Sequence, residues 1–63
     1  MSAARRAMLV ESRDAYYACA DELDAQAEAF PIGHAGLEHF LEAKADALRH
    51  AQLCQDELDK GAA

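Results

Sequence analysis

Apolar residues in the first half of the chain fall at Leu9, Tyr16, Ala20, Leu23, Ala27 and Phe30, in steps of seven or of four and three. Positions so spaced share one face of a 3.6-residue turn, which is the seam of a packed helix. Arg6 and Arg13 carry the seam toward the N-terminus as charged positions, and Ser2 is a good N-cap. The pattern predicts a first helix over about 2–29. A second arc of Leu37, Phe40, Leu41, Ala47, Leu48, Ala51, Cys54 and Leu58 predicts a helix over about 37–60, beginning between His34 and Leu37 and stopped by Gly61. Lys44 lies within this arc and is expected to run its charge out to water along its stem.

Between these segments Phe30–Gly36 is the one strong interruption. Pro31 cannot continue a helix and pushes Phe30 away from the α region, while Gly33 and Gly36 admit left-handed or tight conformations. So short a corner makes the helices antiparallel. Phe30 and Ile32 are large apolar residues beside it, and are expected to pack inward and close that end of the core. The fold class is therefore all-α: residues 1–63 form one two-helix antiparallel hairpin, with its corner at 30–36.

A hairpin leaves on each helix a face that one neighbour cannot cover. A chain of this size buries only about 60% of its unfolded surface, and small scaffolds commonly gain stability by oligomerising. A homodimer forming a four-helix bundle is expected. Two features exceed one hairpin's needs. Val10 and Tyr17 lie about 100° from the main seam of the first helix, and Leu53 falls nearly opposite the arc of the second. These three residues are expected to form a second contact surface, in an interface that also draws on Leu9, Tyr16, Phe40 and Leu48.

Composition sharpens this picture. Alanine is abundant and threonine, asparagine and tryptophan are absent, which favours helix throughout. The net charge is −6, and the cations Arg5, Arg6, Arg13, Lys44, Arg49 and Lys60 are scattered. No basic stripe exists to follow phosphates, so direct nucleic-acid binding is disfavoured and a basic protein surface is the more natural partner. Met8-Leu9-Val10, ended by Glu11, is too short for a membrane span or a signal peptide. Cys19 and Cys54 differ by roughly 13 Å in height along the expected hairpin, too far for a disulfide within the chain. Reduced thiols and a cytoplasmic location are expected.

The candidate chemistry is sparse. Cys19-Ala20-Asp21-Glu22-Leu23-Asp24 is echoed by Cys54-Gln55-Asp56-Glu57-Leu58-Asp59. Each block sets Cys and Leu on one face, as a buried pair, and turns carboxylates outward. Asp21, Glu22, Asp24, Asp56, Glu57 and Asp59 thus form a candidate acidic docking patch for a basic site. Asp46, His50 and Cys54 stand at i, i+4 and i+8, the best metal-ligand spacing in the chain, but structural zinc normally takes four ligands. No metal or other cofactor is expected. Ser2 and Ser12 sit on no glycine-rich elbow, and no nucleophile, base and orienting group assemble, so an enzyme is not expected.

The length and helix–corner–helix plan resemble those of small dimeric hairpin proteins such as the plasmid copy-number regulator Rop, a likeness of architecture that implies paired hairpins. The sequence thus points to a homodimeric adaptor or inhibitor that binds a basic-surfaced protein. A metal- or redox-responsive switch through His50, Cys54 and Cys19, and a structural or co-chaperone subunit of a phage or secretion assembly, are the alternatives.

Overall fold

A computed structural model describes residues 1–62. It contains α1, Ala3–Ala27, and α2, Ala35–Ala62. Ser2 caps α1 as expected, its Oγ accepting from the Arg5 N–H at 3.1 Å. Cross-helix pairs join early residues of α1 to late ones of α2. Arg13 meets Gln55 at 2.8 Å, Asp24 meets Lys44 at 2.8 Å, and the rings of Phe30 and Phe40 lie 5.1 Å apart. The helices are antiparallel, and the hairpin predicted from the seams is the fold.

The corner is built from the residues that broke the pattern. The Pro31 carbonyl accepts from the His34 N–H at 3.0 Å, and Gly33 takes φ +88° between them. This is a turn with glycine at its third position, where an L side chain would be strained. His34 then caps α2, its Nδ1 accepting from the Gly36 N–H at 3.0 Å while its ring packs on Phe30. Phe30 is half-buried against Phe40 and closes this end of the core. Ile32 does not: it is 101% exposed. It occupies the second position of the turn, whose side chain projects away from both helices. Gly61 does not stop α2 either. Its backbone stays helical, and the Met1 side chain lies where a Cβ would otherwise stand.

The core is thin. Leu9, Ala20, Ala47, Ala51 and Leu58 are its buried apolar residues. Alanine at the contact lets the two backbones approach closely, so the packing that holds the hairpin comes largely from small side chains. Leu41 and Leu48, both read as part of the α2 core arc, are exposed instead. The molecule measures 46 × 14 × 11 Å with a radius of gyration of 14.6 Å, whereas a compact chain of this length would have about 10.6 Å. Its accessible surface of 4524 Å² exceeds the value of about 3950 Å² expected for a compact monomer of this mass. One hairpin leaves much of itself uncovered.

Candidate interaction surface

The cross-helix contacts divide the hairpin into two broad faces. Arg13–Gln55 and Asp24–Lys44 run along one side of the seam, while Tyr16–His50 and Arg5–Glu57 run along the other. Residues three or four positions away share a side with these markers. Val10 and Tyr17 flank Arg13, and Leu41 and Leu48 flank Lys44, so all four belong to the first face. Met8 follows Arg5, Cys19 follows Tyr16, and Leu53 lies between His50 and Glu57, so these belong to the second.

On the first face Leu41 is 53% exposed, Tyr17 41% and Leu48 39%. Val10 is half-buried at its margin. The expected trio is therefore split. Tyr17 and Val10 are together, but Leu53 stands on the opposite face with Met8. Leu48 is confirmed as an exposed side chain, Leu9 is buried within the hairpin, Phe40 is half-buried at the corner, and Tyr16 lies stacked on His50 with ring centroids 5.1 Å apart. Leu41 is the residue that the sequence reading placed wrongly and that the site most needs. Its signal was present: the α2 arc from Cys54 to Leu41 spans about 140°, wider than the contact stripe one neighbouring helix requires.

Arg13 is occupied at the centre of the first face. It holds Asp14 at 3.0 Å and donates to the Gln55 Oε1 at 2.8 Å, and Gln55 in turn donates to Asp59 at 2.8 Å. The guanidinium therefore turns toward α2 instead of onto the Tyr17 ring. Lys44 crosses the seam to Asp24, so its charge ends in an ion pair between half-exposed side chains. Such exposed pairs contribute about 0.2–1 kcal/mol each. They select a register more than they stabilise the fold.

The two acidic blocks do not gather into one patch. Asp24 is held by Lys44, Glu57 by Arg5 at 3.5 Å, Asp56 by Gln52 at 2.9 Å and Asp59 by Gln55. Asp21 and Glu22 project from α1 as exposed side chains. The blocks lie on different helices, and the Asp24–Lys44 register separates them in height by roughly 16 Å. Nor is Cys19 the buried half of a Cys–Leu pair: it is exposed, whereas Cys54 is half-buried, and both thiols are free. Cys19 sits on the edge of the seam, where α2 does not reach over it. Cys19 is expected to react with an aromatic disulfide reagent at least several-fold faster than Cys54, as single-cysteine variants would show. Equal rates would contradict this difference in cover.

His50 is engaged by its own helix. Its Nδ1 donates to the Asp46 carbonyl at 2.8 Å, and the Asp46 carboxylate pairs with Arg49 at 3.3 Å. Among the described residues no group of three or more His, Cys, Asp or Glu side chains is placed to hold a metal ion. No helix among them is long and apolar enough to cross a membrane. A shallow cavity of about 280 Å³ lies beside the corner, lined by Gly33, His34, Ala35, Leu37, Glu38 and Leu41. It borders the first face at Leu41.

No protein-family model, curated protein or solved structure matches this chain.

Proposed function

We propose that the chain is a protein-interaction module that acts by binding, as a homodimer of hairpins, and that its acidic outer surface serves as adaptor or inhibitor toward a basic protein partner. The observation that carries this reading is the mismatch between a thin alanine core and the large apolar side chains left outside it, Tyr17, Leu41, Leu48 and Leu53. Scattered exposed apolar residues are ordinary, but several on so small a scaffold favour a surface meant to be covered. The net charge of −6 supports the choice of partner. Outward carboxylates such as Glu11, Glu22 and Glu42 are exposed and available to steer a basic surface. We place this activity in the cytoplasm, where Cys19 and Cys54 would stay reduced.

Light scattering on the eluting protein tests the first half of the reading. The expected mass is twice the 6.8 kDa of one chain at micromolar concentration, and a monomer throughout would refute it. Partner capture tests the second half. Binding should weaken steeply between low and high salt, because exposed charges are screened beyond about 10 Å at 0.1 M.

A further inference from the structure

The apolar face bearing Tyr17, Leu41 and Leu48 takes a second copy of this chain, we infer, and the opposite face with Met8 and Leu53 does not. This deepens the self-association proposed above and rests on it. Charge decides between the faces. A chain of net charge −6 repels its own copy over most of its surface. The first face escapes that repulsion. By the three-and-four spacing it carries Arg6, Arg13 and Lys44, half of the chain's six cations, against Asp24, Glu28 and Asp59. The opposite face offers Arg5 against Asp46 and Glu57, so two copies meeting there would bring excess negative charge together.

The arrangement also suits an isologous contact, in which one patch must be complementary to itself. Cations and carboxylates already alternate across the seam, as Asp24–Lys44 and the Arg13–Gln55–Asp59 chain do. A copy laid on this face meets both signs. Tyr17 and Leu48 lie near the middle of the hairpin's length, the position at which interface anchors are most effective. Leu41 and half-buried Val10 stand toward opposite ends of the same face, extending the apolar contact beyond that centre. A face 46 Å long and 14 Å wide is of the size a stable interface needs, about 800 Å² per partner.

The test compares dimer dissociation constants by sedimentation for the full chain and four variants, with helicity followed by circular dichroism. Leu48→Glu and Tyr17→Glu are each expected to weaken the dimer roughly 100-fold, since each change occurs twice in a two-fold interface. Leu53→Glu and Met8→Glu should stay within about threefold of the parent, as rim or exterior sites do. All four positions are exposed in the single hairpin, so helicity should persist, and having two variants on each face guards against one that misfolds. If the parent is a dimer and only the Leu53 and Met8 variants dissociate, the face assignment is overturned while self-association stands. Equal loss from both faces also overturns it, because the contact would then not be confined to one side. A parent that stays monomeric removes the underlying reading itself.

Discussion

Replacing Leu58 with alanine is expected to destabilise the hairpin by about 2–5 kcal/mol, the range for truncating a buried leucine. Leu58 is almost fully buried. The register set by Arg13–Gln55 and Arg5–Glu57 places it level with Leu9, the other buried leucine of the core. The remaining buried positions are alanines, which have no side-chain length to move into the vacated space. A typical domain has only about 5–15 kcal/mol of stability in all, and a scaffold this small sits at the low end. The variant should therefore lose most of its helical signal at 37 °C, whereas the parent retains it. Thermal melts at 222 nm, at one fixed chain concentration, check this, since any association would otherwise move the midpoint. Ile32→Ala supplies the contrast. It removes as large a side chain from a fully exposed site and should change stability by no more than about 0.5 kcal/mol. A comparable cost at Ile32 would mean that the corner packs differently from the structure described.

That contrast marks where the sequence was legible. Both helices, the Ser2 cap, the antiparallel register and the role of Phe30 follow from local chemistry: apolar spacing, a hydroxyl at an N-cap, one proline. Ile32 was misplaced because its position within the turn, not its hydrophobicity, decides where it points. Once Pro31 and Gly33 fix the turn, its second residue faces outward whatever its side chain. Gly61 was misread for a related reason. A glycine ends a helix where a left-handed residue is required, but here the missing Cβ makes room for Met1. No local signal announces a contact with the other end of the chain.

The interaction surface was half legible. Periodicity told that Val10, Tyr17 and Leu53 lie off the seam, but an angle on one helical wheel has no sign relative to the other helix. Only the cross-helix pairs fix it. Arg13 reaching Gln55 and Tyr16 stacking on His50 determine which flank of α1 adjoins which flank of α2. With that handedness known, Leu53 separates from Tyr17, and Leu41 and Leu48 join it. Cys19 illustrates the same gap: its block matches that of Cys54, yet one thiol is exposed and the other half-covered. Identical strings meet different neighbours on the two helices.

The corner carries the second large effect. Pro31→Ala combined with Gly33→Ala should convert the hairpin into a domain-swapped dimer of continuous helices. Within a helix, alanine is favoured over proline by about 3 kcal/mol and over glycine by about 1 kcal/mol. The two changes together shift each chain by roughly 4 kcal/mol toward continuing α1 into α2. The same change penalises the existing turn, because Gly33 holds φ +88°, a conformation that costs an L residue about 1–2 kcal/mol. A lone straight helix would still forfeit the burial of Leu9, Ala20, Ala47, Ala51 and Leu58. Two such helices lying antiparallel recover it, because α1 of each then packs on α2 of the other in the same register. This is the route by which hinge variants exchange elements between protomers. A continuous helix over residues 3–62 would be about 90 Å long, against the 46 Å of the hairpin. Small-angle scattering separates the swapped dimer from a bundle of paired hairpins, which share the same mass. A maximum dimension still near that of the hairpin would show that interhelical packing turns the chain without help from Pro31 and Gly33. The corner would then be a consequence of the fold instead of its cause.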